Sequence, residues 1–294
     1  GTALVQSVDF FTPIVDDPYD WGRIAAANAL SDLYAMGARP VLALNLVAWP
    51  VEELSLDLLA DVLRGGAKVA SEAGVAVVGG HSITDPEPKY GMAVTGFADQ
   101  AHLTRNSTAR PGAALWLTKP LGIGIVTTAI KRRKASPEQV AAAVEVMTTL
   151  NAAAAEAARD VGAQAVTDVT GFGFLGHLHE MLRASGVAAV VDAGAVPTLT
   201  GTLALAGQGV VPSGSRRNHD FLSPHVTWGD LPEAEQMVLA DAQTSGGLLI
   251  AVSEESGGAL GRELEARGIA ASRVGTTLEG TPGAIEVRGR VGGI

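Results

Sequence analysis

The chain has 294 residues, 47% of them hydrophobic and 18% charged, and its 31 acidic against 21 basic residues give a formal net charge of −10. That length and apolar content predict a globular protein of about two domains with a sizeable core, and the acidic balance excludes a nonspecific nucleic-acid binder. The lack of cysteine excludes disulfides, thiolate metal sites and a cysteine nucleophile within the chain; no apolar run approaches the ~20 residues of a membrane span, and residues 1–5 lack the basic region and cleavage site of a leader, so the expected compartment is the cytoplasm.

Residues 5–10 alternate weakly and read as a strand ending near Asp9, followed by the turn Asp16-Asp17-Pro18-Tyr19-Asp20 with a candidate helix cap. Residues 23–35 predict an alanine-rich helix closed by Gly37 and Pro40. Residues 41–48 read as a buried strand, 54–73 as a helix stopped by Gly74, and 75–78 as a short strand running into the loop Gly79-Gly80-His81-Ser82. A further strand covers 90–98, and the polar stretch 99–111 marks the domain boundary. Beyond it, residues 114–118 form a strand and Lys119-Pro120-Leu121-Gly122 a turn. Ser136-Pro137-Glu138-Gln139 is a capping box with proline at the first helical position, opening a helix expected to run to Gly162. Strands at 165–168, 188–192, 247–252 and 284–287 then alternate with helices at 175–184, 233–240 and 259–267. The mixture predicts an α+β fold in both halves.

The richest segment chemically is Thr167-Asp168-Val169-Thr170-Gly171-Phe172-Gly173-Phe174-Leu175-Gly176-His177. A helix N-terminus attracts phosphate, and a carboxylate beside it would repel phosphate unless a divalent cation stood between them. Gly171, Gly173 and Gly176 also spell the dinucleotide pattern G-x-G-x-x-G, with Asp192 about 20 residues on. A plain strand–helix turn is the third reading. Asn28 and Asp32 stand four residues apart on one helix and share a face among apolar neighbours. A hard cation, solvent or an internal hydrogen bond would each satisfy them. Asp9 fits turn chemistry, and Asp16, Asp17 and Asp20 a solvated turn and cap.

The loop Gly79-Gly80-His81-Ser82 allows a ligand near its backbone, with Ser82 available to a base or phosphate. His81 lacks a second histidine at metal-binding spacing, and His177 reads as a capping or core residue. Ser213-Gly214-Ser215-Arg216-Arg217-Asn218 places two guanidinium groups in a glycine–serine loop suited to anionic oxygen, or to plain solvent. Gln243-Thr244-Ser245-Gly246-Gly247 either cradles phosphate or simply turns the chain.

Taken in order, Ser7-Val8-Asp9-Phe10-Phe11-Thr12-Pro13-Ile14-Val15-Asp16, Gly22-Arg23-Ile24-Ala25-Ala26-Ala27-Asn28-Ala29-Leu30-Ser31-Asp32, Gly79-Gly80-His81-Ser82-Ile83, Pro86-Glu87-Pro88, Leu117-Thr118-Lys119-Pro120-Leu121-Gly122, Asp168-Val169-Thr170-Gly171-Phe172-Gly173 and Gln243-Thr244-Ser245-Gly246-Gly247 resemble the selenophosphate synthetase (selenide, water dikinase) family across most of the chain, weakening after about Val252. The resemblance implies the two-domain α+β fold of the aminoimidazole ribonucleotide synthetase-like superfamily, with residues 1–98 as an N-terminal ATP-binding and dimerisation domain and 99–294 as a C-terminal α+β domain. It implies a homodimer, ATP with Mg2+, selenide and water as reactants, and selenophosphate, AMP and orthophosphate as products, without nucleic-acid or membrane partners. Asp32 and Asp168 match its magnesium ligands. Asp9, Asp32, Gly80, His81 and Ser82 match its ATP-binding residues.

The family's catalytic Cys or selenocysteine and its Lys would lie upstream of Gly1, so no catalytic residue is expected within this chain, and the chain alone is expected to be inactive. Asp241-Ala242 stands where the family has Asp-Pro. The competing readings are a noncatalytic ATP-binding dimeric paralogue, another ATP-dependent enzyme of the superfamily such as a thiamine-phosphate kinase, and a nicotinamide oxidoreductase.

Overall fold

The computed structural model describes residues 1–292. The chain divides into two compact units, the first formed by residues 1–103 with 147–152 and the second by the rest. No helix among the described residues is long and apolar enough to cross a membrane.

The first unit runs β1 (Thr2–Phe11), α1 (Pro18–Ala35), β2 (Arg39–Trp49), α2 (Leu56–Glu72), β3 (Ala76–Thr84) and β4 (Lys89–Asp99). Its sheet has the order β1-β4-β2-β3. β4 pairs antiparallel with β1 and β2, and β2 pairs parallel with β3 across the α2 connection. Side chains alternate along each strand. On β1, Val5, Ser7 and Asp9 turn toward α1, whose buried face includes Ile24, Asn28, Leu30 and Ser31. The opposite face carries Leu4, Val8 and Phe10, which stay exposed together with Phe97 of β4 and Leu44 of β2. α1 starts at Pro18 rather than 23, because Asp17 caps it by accepting from the Asp20 N–H at 2.9 Å. α1 and α2 meet backbone to backbone: a Cβ on Gly22 would lie 2.0 Å from the Val62 carbonyl oxygen, and one on Gly65 2.0 Å from that of Tyr19.

The second unit, apart from residues 147–152 at the α4–α5 junction that belong to the first, runs β5 (Ala114–Leu117), α3 (Ile123–Lys131), α4 (Pro137–Thr148), α5 (Ala152–Asp160), β6 (Ala165–Asp168), α6 (Gly173–Ser185), β7 (Ala188–Asp192), α7 (Thr202–Gly207), α8 (Ser213–Leu222), β8 (Val226–Thr227), α9 (Glu233–Leu239), β9 (Leu248–Val252), α10 (Glu254–Ala266), β10 (Ser272–Leu278) and β11 (Ile285–Arg288). Its seven strands take the order β6-β9-β5-β10-β7-β11-β8. β9 is buried along its whole length between β6 and β5. Both units mix helices and mostly antiparallel strands, which is the expected α+β class.

Three local expectations fail. Gly79-Gly80-His81-Ser82 is not a loop but part of β3, extended against β2 with Asn45 opposite Gly80 and Leu46 opposite His81. The helix expected from Ser136 to Gly162 breaks into α4 and α5 around Asn151, a buried residue whose side-chain amide donates to Ser31 Oγ at 2.9 Å. That tertiary bond overrides the local alanine propensity. Ser213-Gly214-Ser215-Arg216-Arg217-Asn218 opens α8 instead of forming a loop.

Candidate functional site

In the first unit, residues two apart on β1 face residues four apart on α1. The Asn28 amide donates to Asp9, and the Ser7 hydroxyl donates to Asp32. The strand period of two and the helix period of 3.6 bring these four polar side chains together. Burial pushes the Asp9 carboxyl up, the Asn28 hydrogen bond opposes that, and the charge of Asp32 adds to the rise. Asp9, whose charge Asp32 disfavours, stands with Asp32, a hydroxyl and an amide in a hard oxygen set of the kind a divalent cation relieves. This donor set fits Mg2+. Among the described residues, no three or more His, Asp or Glu side chains are gathered into a group that could hold a metal ion.

Gly80, His81 and Ser82 lie on β3, at the other edge of the same sheet. β4 and β2 separate them from β1, so the two groups stand three strand spacings apart, about 14 Å. A Cβ on Gly80 would lie 2.1 Å from the Asn45 carbonyl oxygen, so only glycine allows β3 to approach β2 there. Asn45 is itself held by the Tyr90 hydroxyl, which donates to its Oδ1 at 2.9 Å. His81 and Ser82 are exposed.

In the second unit, Asp168 ends β6 and is 6% exposed. Burial lowers the Lys119 ammonium to about 7, while the neighbouring charge of Asp168 raises it. Lys119 Nζ donates to the Ser245 carbonyl at 2.9 Å. The segment 243–247 brackets the turn after Asp168: the Val169 N–H donates to the Gly247 carbonyl at 2.8 Å, and the Gln243 N–H to the Thr170 carbonyl at 3.0 Å. The Thr170 N–H donates to His177 Nε2 at 3.1 Å. Burial lowers His177 to about 4, which keeps that nitrogen an acceptor, so His177 has the expected capping role.

The dinucleotide reading of Gly171, Gly173 and Gly176 does not survive the topology. That motif needs a parallel βαβ unit. β6 instead pairs antiparallel with β9, and three strands separate it from β7 in the sheet. Asp192 accepts from the Gly194 N–H at 3.0 Å in a local turn.

Sequence reasoning treated Asp241 only as the residue before an unusual alanine, yet it is the buried centre of this region. Its carboxylate accepts from the Gly124 N–H at 3.0 Å, the Ile125 N–H at 3.2 Å, the Ser215 hydroxyl at 2.7 Å and Gln243 Nε2 at 3.0 Å. Gln243 Oε1 accepts from the Ile123 N–H at 3.2 Å. Together Asp241 and Gln243 satisfy the first turn of α3, which has no side-chain cap of its own. Burial pushes the Asp241 carboxyl up to about 7 against these donors. An acid inside the apolar run Leu239-Ala240-Asp241-Ala242 was the available signal.

Residues 1–98 match the family described as AIR synthase related protein, N-terminal domain, and residues 110–288 match AIR synthase related protein, C-terminal domain. The chain is 51% identical over 286 residues to a selenide, water dikinase of Myxococcus xanthus, covering 96% of this chain and 81% of that protein. It is 47% identical over 287 residues to a selenide, water dikinase of Carboxydothermus hydrogenoformans, covering 97% and 83%. Among solved structures, thiamine-monophosphate kinase from Stenotrophomonas maltophilia matches with a TM-score of 0.77 at 21% identity, covering 99% of this chain and 87% of that one. Hydrogenase maturation protein HypE in complex with ATP matches with a TM-score of 0.74 at 23% identity, covering 97% and 81%. The structural likenesses are of fold.

Proposed function

The chain belongs to the selenide, water dikinase family, and from that premise we propose that it makes selenophosphate from ATP, selenide and water, releasing AMP and orthophosphate. The observation that carries this reading is the pairing of Asp9 with Asn28 and of Ser7 with Asp32 on facing elements of the first unit. It gathers two acids where neither stabilises the other without a cation. We propose Asp32 and Asp168 as magnesium ligands, and Asp9, Asp32, Gly80, His81 and Ser82 as ATP-binding residues. Magnesium, when bound, neutralises triphosphate charge.

The chain's own groups supply position. Asn28 and Ser7 orient the two carboxylates. Gly80 lets β3 lie close to β2 while His81 and Ser82 remain open to a nucleotide. The bracket 243–247 fixes the turn that follows Asp168.

A homodimer formed through the first unit is part of the same proposal. The exposed sheet face carrying Leu4, Val8, Phe10, Leu44 and Phe97 is the kind of contiguous apolar patch that marks an interface. A second copy would also offer a β3 edge in addition to the chain's own, which stands at the far side of the sheet from Asp9 and Asp32.

Phosphorus NMR with ATP, magnesium and selenide under anaerobic conditions tests the reaction, on protein that carries the family's catalytic Cys or selenocysteine and its Lys. Selenophosphate with AMP is the expected result. ATP binding without any turnover would favour a noncatalytic ATP-binding paralogue, and transfer of phosphate to thiamine phosphate would favour another enzyme of the superfamily.

A further inference from the structure

A groove of about 500 Å³ opens in the second unit, lined by Phe172, Gly176, Glu180, Arg217, Asn218 and Phe221. Its walls come from α6 with the turn before it, and from α8. The size suits a ligand of mononucleotide class and far exceeds a single selenide ion. Two features distinguish the lining from a patch of surface apolar residues.

The first is the pair of phenyl rings. Phe172 is 64% exposed and Phe221 55% exposed, yet each is braced from behind. Phe172 packs on His177 with ring centroids 5.6 Å apart, and Phe221 packs edge-on to His179 at 5.7 Å. Gly176 leaves room for this arrangement, since a Cβ there would lie 2.9 Å from that of Phe172. Rigidly held, solvent-facing rings are surfaces on which a planar ring stacks.

The second is the polar inventory. Arg217 enters no ion pair among the described residues, so its guanidinium is available to an anion. Glu180 commits one carboxylate oxygen to Arg183 at 2.7 Å and retains the other as an acceptor. The Asn218 side-chain amide nitrogen is committed to the Gly171 carbonyl at 2.9 Å and the Ala240 carbonyl at 3.2 Å, which leaves its oxygen to accept. The groove therefore offers aromatic faces, one cation and two acceptors. The complementary ligand has a flat ring, N–H donors on that ring and an anionic group.

We propose that this groove is a binding site for an amino-bearing heteroaromatic monophosphate of the size of AMP. The inference does not depend on the nucleotide-binding residues assigned above. It also gives a role to Arg217 and Asn218 of the segment that opens α8.

The test is equilibrium dialysis of labelled AMP against the full chain, with magnesium and a nonhydrolysable ATP analogue at saturating concentration. Wild type is expected to retain one AMP per chain. Arg217→Ala and Phe221→Ala, both surface substitutions checked for unchanged melting temperature, are each expected to weaken AMP at least tenfold. Adenosine, lacking the anion, and IMP, lacking the amino group, are each expected to bind at least tenfold more weakly than AMP. No retained AMP, retention unchanged in both variants, or displacement of AMP by inorganic phosphate at equal concentration would overturn the proposal. Failure of the ATP analogue itself to bind would count against the proposed function, while loss of AMP in the two variants would still be read independently.

Discussion

Asn28 donates its side-chain amide to Asp9, and that bond opposes the effects of burial and of Asp32 in raising the Asp9 carboxyl. Removing it leaves a partly buried acid without its main hydrogen-bond donor. Asn28→Ala is expected to cost about 1–3 kcal/mol in urea unfolding and to raise the Asp9 titration further, followed by carbon-detected NMR of the carboxyl. An unchanged Asp9 titration would show that Asn28 does not hold it.

Asp241 gives a pH dependence of definite sign. Its carboxyl is raised from 3.8 to about 7 in the folded chain. Between those values the native state binds more protons than the unfolded one, so the Asp241 contribution to stability falls as pH rises through that window. Asp241→Asn removes the titration and keeps an acceptor for α3. The difference in unfolding free energy between wild type and Asp241→Asn, measured at steps across the window, is expected to move against wild type as pH increases. Asp241→Ala abandons the first turn of α3 and the Ser215 hydroxyl together, and is expected to cost about 3 kcal/mol at neutral pH.

What the sequence made legible depended on whether the determining interaction is local. Strands β6 and β7 were read at their observed bounds, because β-branched runs between turn signals need no distant information. The capping box was also legible: the Ser136 N–H donates to Gln139 Oε1 at 3.0 Å, and the Gln139 N–H to Ser136 Oγ at 3.3 Å. α3 was missed because its cap comes from Asp241 and Gln243, with the Gln243 bond spanning 120 residues. β10 was missed because Gly275 interrupts its pattern, although a Cβ there would lie 2.3 Å from the Val190 carbonyl oxygen of the neighbouring strand. The glycines of β3 misled in the same way. At the site, the shared face of Asn28 and Asp32 was legible from spacing, but their partners Asp9 and Ser7 belong to tertiary structure. Lys119 beside Asp168 had no local signal beyond its place in a family motif.

Asp32 and Asp168 carry the metal assignment and are separable experimentally. Each is proposed as a carboxylate ligand, so Asp32→Asn and Asp168→Asn retain shape while removing charge. Each substitution is expected to raise the magnesium concentration needed for half-maximal ATP binding at least tenfold, roughly 1.4 kcal/mol, with the far-UV spectrum unchanged. Calorimetric titration of magnesium at fixed ATP checks both. A variant that binds magnesium–ATP as wild type does would remove that residue from the ligand set.

The open face of the first sheet gives the last expected outcome. Val8 and Leu44 flank Ala93 in one row, and Leu4 lies opposite Phe97 in another. Between them the Gln6 side-chain amide donates to the Thr95 hydroxyl at 3.0 Å, so these two polar side chains satisfy each other. Burying such a row removes apolar area from water at about 25 cal/mol per Å², whereas a carboxylate placed within it would be buried without a partner. At micromolar concentration the protein is therefore expected to sediment at twice its 29.9 kDa chain mass. Val8→Glu and Phe97→Glu are expected to sediment at the single-chain mass with unchanged secondary structure, because both side chains point away from α1 and its core. A monomeric wild type, or a dimer that survives both substitutions, would show that this face is not the contact between copies.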